Sequence, residues 1–143
     1  MHLSSSVLDD LVEDLMTKKV IAVDEAIMAI EAAKMMAEKG ISSLIVEREG
    51  VPVGIVTERD FVKKICSRDI LPSQVSVGTV MSKLQTYATP DTPVDVAVQR
   101  MVNHKIRRLP IIYDKKVVGI ITVTDLAKHL RTILLIDKLL KHK

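Results

Sequence analysis

The chain is short of the residues on which several function classes depend. Tryptophan is absent, and one phenylalanine and two tyrosines bring the aromatics to only 2% of 143 residues. Stacking of exposed bases on aromatic rings, the sequence-tolerant mode of single-strand nucleic-acid binding, therefore has almost nothing to work with. A single cysteine, Cys66, excludes an internal disulfide, and no cysteine–histidine grouping has zinc spacing. We expect Cys66 to be a small core hydrophobe. No apolar run reaches the roughly 18–20 residues that span a bilayer. The segment Met1-His2-Leu3-Ser4-Ser5-Ser6 lacks the basic-then-apolar order of a signal peptide, so a reducing cytoplasm is the default and no membrane is expected. Four histidines, His2, His104, His129 and His142, are scattered, and none is framed with a serine or cysteine as a nucleophile and base would be. No enzyme emerges from this list.

What is present is aliphatic and repeated. Hydrophobic residues make up 48% and charged residues 27%, a globular balance with a mild net charge of +3. The stretch Gly54-Ile55-Val56-Thr57-Glu58-Arg59-Asp60 recurs 65 residues later as Gly119-Ile120-Ile121-Thr122-Val123-Thr124-Asp125. The register holds without gaps on both sides: Met16 maps to Met81, Lys18 to Lys83, Ala32 to Ala97, Met36 to Met101, Ile41 to Ile106, Leu44 to Leu109, Val53 to Val118 and Lys63 to Lys128. This is a tandem repeat. We divide it at 1–71, an N-terminal helix with the first repeat, and 72–143, the second repeat with an extended last helix. Halves this small are marginal alone, so they are expected to share a core.

Periodicity predicts the elements. Leu8, Leu11, Val12 and Leu15 give a helix over 3–16. Val20–Val23 is a short strand, and Asp24 is placed to cap a helix running through Lys39 to Gly40, where a left-handed terminus suits glycine. Ile41–Val46 and Val51–Val56 form a hairpin with Pro52 at an edge or strand start, and a helix runs from Glu58 to about Ser67. Arg68–Ser76, with Pro72, is the one linker. The second half repeats the order: a helical turn over 77–82, a strand over 84–88, and a Thr89-capped helix ending near His104. A hairpin of 106–113 and 116–121 follows, turning at Asp114-Lys115, and the last helix starts at Thr124-Asp125. Each repeat is thus β-α-β-β-α, an α/β (α+β) class, expected to pack as a pseudo-twofold intramolecular pair.

The repeated motif has its own chemistry. Glycine permits close backbone approach. Thr57 or Thr124 would cap a helix by accepting from its amides, with Asp60 or Asp125 favoured at the positive helix end. A carboxylate there would also accept both hydroxyls of a ribose, and a helix start with a threonine hydroxyl suits a phosphate. Arg59, Arg107 and Arg108 are candidates for phosphate contact, because guanidinium forks match phosphate oxygens.

Strand, helix, then Lys105-Ile106-Arg107-Arg108-Leu109-Pro110-Ile111-Ile112 and a closing Gly-apolar-apolar-Thr-x-x-Asp resembles the CBS domain, which occurs in pairs (Bateman modules). The pairs Met16-Thr17 and Met81-Ser82 match that family's lead-in segment, and the resemblance covers about residues 10–131. The first repeat departs from it: Ile41-Ser42-Ser43-Leu44-Ile45 lacks the basic residues and the proline. The resemblance implies two clefts, each joining one repeat's motif to the other repeat's lead-in and second strand. One site would use Thr17, Ile21, Ile41, Ser42, Ser43, Ile120, Thr122, Thr124 and Asp125. The other would use Ser82, Thr86, Ile106, Arg107, Arg108, Ile55, Thr57, Arg59 and Asp60. The ligand implied is an adenosine-containing one, AMP, ADP, ATP or S-adenosylmethionine, with no required cofactor and no metal.

The leading expectation is a stand-alone regulatory module whose occupancy shifts a conformational population and is passed to a partner enzyme or transporter. The last helix carries an apolar stripe, Leu126, Leu130, Ile133, Leu134 and Leu140, that extends beyond the end of the repeat, and with the first helix is expected to pack on a second copy as a homodimer. Two alternatives remain: a scaffold with degenerate clefts, and a weak nucleic-acid binder using Arg107, Arg108 and the basic tail Lys138, Lys141, His142 and Lys143.

Overall fold

The computed structural model describes residues 10–141. They form two compact units, one of Val20–Leu84 and one joining residues 10–19 to residues 85–141. This differs from a division at residue 71, and backbone pairing explains why. The segment before each repeat pairs with the motif strand of the other repeat, so each unit draws on both repeats.

In the unit Val20–Leu84, the elements are β1 (Ala22–Asp24), α2 (Ala29–Lys39), β2 (Ser43–Arg48), β3 (Val51–Thr57), α3 (Glu58–Lys64), a 3₁₀ turn (Cys66–Arg68), α4 (Val77–Val80) and β4 (Ser82–Lys83), α1 (Val12–Leu15) belonging to the other unit. The sheet order is β1-β2-β3-β4, with β1 and β2 parallel and the remaining pairs antiparallel. Residues Arg68–Ser76, expected to be a linker, are built into this unit. Val75 and Pro72 carbonyls accept from the Ala29 and Ile30 amides at 2.8 and 2.9 Å. These bonds satisfy orphan donors at the start of α2. That is why the helix begins at Ala29 without a side-chain cap, while Asp24 instead turns the chain by accepting from the Ala26 amide. Gly40 does end α2 in the left-handed conformation, φ 61°.

The other unit holds α1, α5 (Val94–His104), β5 (Arg108–Tyr113), β6 (Lys116–Thr122) and α6 (Val123–Leu140). The helix expected over 3–16 is shorter in its described part: Leu11 is extended and bridges Pro93, leaving only Val12–Leu15 helical. Residues 3–9 of that expectation lie outside the described residues. The strand expected over 84–88 is reduced to one parallel bridge, Ala88 with Ile111. Thr89 does not cap α5 either. Its amide donates to the Thr92 hydroxyl at 3.0 Å, and Val94, the first residue of α5, donates to the Asp10 carbonyl at 2.8 Å. In both units the helix start is therefore closed by a distant backbone segment, which no local propensity encodes.

The cores follow the repeat. Leu44, Val46 and Val56 pack with Val23, Ala32, Met36, Ile65 and Val77, while Leu109, Ile111 and Ile121 pack with Val12, Ala88, Ala97 and Met101. Burying each such Leu or Ile side chain contributes roughly 1.5–3 kcal/mol. Both hairpins carry a register shift at the same repeat position, after Val46 and after Ile111. Pro52 sits beside the first of these, where a missing amide donor is tolerated. Asp114 and Lys115 both have positive φ, 51° and 65°, as a tight two-residue hairpin turn requires. Cys66 is exposed rather than in the core, because α3 ends at Lys64 and the following 3₁₀ turn points it outward.

Candidate ligand-binding site

The glycine of each motif makes room for the lead-in methionine. A Cβ on Gly54 would stand 2.5 Å from Met81 Sδ and 2.7 Å from the Ser82 carbonyl oxygen, and one on Gly119 would stand 2.9 Å from Met16 Cγ. Close approach by the lead-in segment thus accounts for the glycines. It fixes the neighbouring hydroxyl: Ser82 pairs with Ile55 in the sheet, and Thr17 bridges Ile120 through amide–carbonyl bonds of 2.8 and 3.0 Å.

Each motif closes as a capping box. The Thr57 hydroxyl accepts from the Asp60 amide, while Asp60 Oδ2 accepts from the Thr57 amide at 2.9 Å. The second motif does the same with Thr122 and Asp125, at 3.1 and 3.0 Å. The cap of the last helix is thus Thr122 and not Thr124, which is exposed on the first turn of α6. In repeat register Thr122 is the counterpart of Thr57, so the signal that identifies it is the 65-residue offset. Such a box supports the helix by about 1 kcal/mol and fixes the carboxylate.

The outer oxygen of each carboxylate faces the lead-in hydroxyl. Ser82 Oγ donates to Asp60 Oδ1 at 3.1 Å, and Thr17 Oγ1 donates to Asp125 Oδ1 at 3.1 Å. The structure therefore brings Thr17 together with Ile120, Thr122 and Asp125, and Ser82 with Ile55, Thr57 and Asp60. Apart from Arg59 and Thr124, the remaining expected members of each set belong to the other unit. Ile21 accepts from the Ile45 amide, and Ile41 and Ile106 are half-buried against their own cores. The Ser42 and Arg107 carbonyls accept from Glu58 and Val123, the first amides of α3 and α6. Ser43 and Arg108 pair with Thr57 and Thr122 across their hairpins. Thr86 lies outside regular structure, and Arg59 and Arg107 are exposed.

Two side chains at these motifs were not anticipated. Lys64 Nζ lies 3.0 Å from Asp60 Oδ1 and also donates to the Val80 and Met81 carbonyls at 2.9 and 3.2 Å. The i,i+4 spacing of Asp60 and Lys64 is a legible signal for that pair. At the corresponding position of the second repeat, His129 Nε2 instead meets Asp10 Oδ2 at 2.7 Å. Nothing local announces that contact.

Shallow grooves lie elsewhere. One of about 260 Å³ is lined by Ala33, Met36, Ala37, Glu58 and Phe61, and one of about 540 Å³ by Glu13, Thr89, Pro90, Asp91 and Tyr113. Neither is lined by Asp60 or Asp125. Among the described residues no group of three or more His, Cys, Asp or Glu side chains is placed to hold a metal ion, and no helix is long and apolar enough to cross a membrane.

Two helix–hairpin units of mixed α and β structure, each closed by a Gly-apolar-apolar-Thr-x-x-Asp cap against a lead-in segment, define a tandem-repeat α+β module. The chain belongs to the CBS domain family, which matches it twice, at residues 12–67 and 77–132. An uncharacterized protein of Methanopyrus kandleri is 41% identical over 100 residues, covering 68% of this chain and 51% of its own length. A 17.7 kDa protein of Acidianus ambivalens is 40% identical over 121 residues, covering 83% and 72%. The chain therefore spans about half of the first relative and under three quarters of the second. A crystal structure of a CBS domain pair in complex with 5′-methylthioadenosine and S-adenosyl-L-methionine superposes with a TM-score of 0.74 at 29% identity, covering 86% of this chain and 97% of that one.

Proposed function

We propose that this chain senses an adenosine-containing ligand, an adenine nucleotide of the AMP, ADP or ATP type or S-adenosylmethionine, and passes its occupancy to a partner enzyme or transporter. The observation that carries the reading is the fixed carboxylate with a hydroxyl on its outer oxygen. Thr17 Oγ1 on Asp125 Oδ1 is the kind of contact a ribose hydroxyl would make in its place. The ligands of the related CBS pair, both adenosine derivatives, support the same class. Ile120, bridged to Thr17 beside the Asp125 carboxylate, would supply aliphatic surface to the adenine.

The module acts, on this reading, as a cytoplasmic homodimer. Support for the dimer comes from α6, where Leu134, Leu135, Ile136, Leu139 and Leu140 are all exposed and no residue of the helix is buried. Light scattering on the purified chain is expected to return twice the mass of one chain, and a monomer at micromolar concentration would remove this part of the proposal.

A thermal-shift panel of AMP, ADP, ATP, S-adenosylmethionine, NAD and GMP tests the ligand class. A ligand bound only by the folded state stabilises it by about 2.7 kcal/mol at a hundredfold excess over its dissociation constant. Shifts restricted to adenine compounds are expected. A flat panel would sink the sensor reading and leave the exposed face of α6 as the functional surface, that of a scaffold.

A further inference from the structure

The two motifs are alike in sequence but not in how their carboxylates are used. We propose that Lys64 is a built-in occupant of the Asp60 carboxylate, so that the chain takes one adenosine-containing ligand, at Asp125, rather than two. The inference rests on the ligand class proposed above and adds which motif is open and what closes the other.

A carboxylate offers about four acceptor sites and an ammonium three donors. Asp60 meets four donors: the Thr57 amide at 2.9 Å and the Thr57 hydroxyl at 3.3 Å on Oδ2, with the Ser82 hydroxyl at 3.1 Å and Lys64 Nζ at 3.0 Å on Oδ1. Lys64 in turn spends its three donors on Asp60 and on the Val80 and Met81 carbonyls. Both sets are full, and the Asp60 side chain is only 9% exposed. A ribose diol reaching Asp60 could replace the neutral Ser82 hydroxyl with one of its donors, but its second would have to displace Lys64, whose bond to the carboxylate is charged on both sides.

Asp125 has the same box but not the lysine. The Thr122 amide and hydroxyl, both at 3.0 Å, hold Oδ2, and the Thr17 hydroxyl, 3.1 Å from Oδ1 and 3.3 Å from Oδ2, is the one donor on Oδ1 among the described residues. The residue four positions on is His129, and its ring is drawn away to Asp10 at 2.7 Å. One acceptor site on Oδ1 is left over, and Asp125 is half-buried rather than buried. A vicinal diol has two donors to place. The open site and the displaceable neutral hydroxyl of Thr17 accommodate both.

Isothermal titration of the full chain with AMP and with 5′-methylthioadenosine tests this, each variant first checked for a cooperative melt. The wild type is expected to bind one ligand per chain, and 2′,3′-dideoxyadenosine to bind about tenfold or more weakly than adenosine. Asp125→Asn keeps an oxygen for the Thr122 amide but is expected to weaken binding about tenfold or more. His129→Lys places an internal cation beside Asp125 and is expected to do the same. Lys64→Met is expected to raise the ligand number from one to two per chain, and Lys64→Gln serves if the methionine variant does not fold. Two equal sites in the wild type, or a single site indifferent to Asp125→Asn, would overturn the proposal while leaving the sensor reading intact. No binding of any adenosine compound by the wild type would overturn both.

Discussion

The unit built on Asp60 and the unit built on Asp125 repeat one backbone plan with different side-chain wiring. In the first, a lysine one turn along the helix ties the motif carboxylate to the carbonyls of the lead-in segment. In the second, that position is a histidine bound to Asp10, and among the described residues the carboxylate is tied to the lead-in only through a threonine hydroxyl. Duplication preserved what the backbone needs, namely the glycine, the capping threonine and the aspartate, and left the fourth residue of the contact free to diverge. Sequence identity within a motif therefore says that two sites are built alike, and the neighbours say whether they are equally available.

Substitutions that treat the two units alike should separate them by stability. The largest difference is expected at the aspartates. Asp60→Ala removes the partner of a largely enclosed lysine together with half of a capping box, and should cost about 3–5 kcal/mol in chemical denaturation. Asp125→Ala loses only the box and a neutral hydroxyl bond, about 1–2 kcal/mol. Equal losses would erase the distinction between the two carboxylates.

Next come the glycines. A Cβ at position 54 meets the Ser82 backbone oxygen at 2.7 Å, whereas at position 119 it meets only the flexible Met16 side chain. Gly54→Ala is expected to destabilise by about 1–3 kcal/mol and Gly119→Ala by less, measured the same way. A smaller effect is expected at the helix ends, where Gly40 and Lys105 occupy the same repeat position in the same left-handed conformation, φ 61° and 54°. Lys105→Gly should stabilise by up to about 1 kcal/mol, while Gly40→Lys should destabilise by a similar amount. Smallest is the Asp10–His129 pair, partly exposed on both sides. A double-mutant cycle there should return about 1 kcal/mol or less.

Much of the fold was legible because a repeat states its own register. The hairpins, the helix stop at Gly40 and the counterpart positions Gly54/Gly119, Thr57/Thr122 and Asp60/Asp125 follow from pattern and offset, since strand alternation and turn residues act locally. The starts of α2 and α5 were not legible. Asp24 and Thr89 are good capping residues by type, yet α2 and α5 begin later because distant carbonyls of Val75 and Asp10 already satisfy their first amides. Cys66 was misplaced for a related reason: an apolar residue near a helix end is inside or outside depending on one turn of helix, and α3 ends before it.

The amino-acid sequence by itself thus determined the family, the repeat and the residues of each motif, because spacing and residue type suffice to build a strand, a turn and a cap. Only the tertiary structure decided which distant carbonyls start α2 and α5, and which charged side chains meet or miss the outer oxygen of each aspartate. Those are contacts between residues up to 119 positions apart. They depend on where folded segments arrive, and no local spacing carries that information.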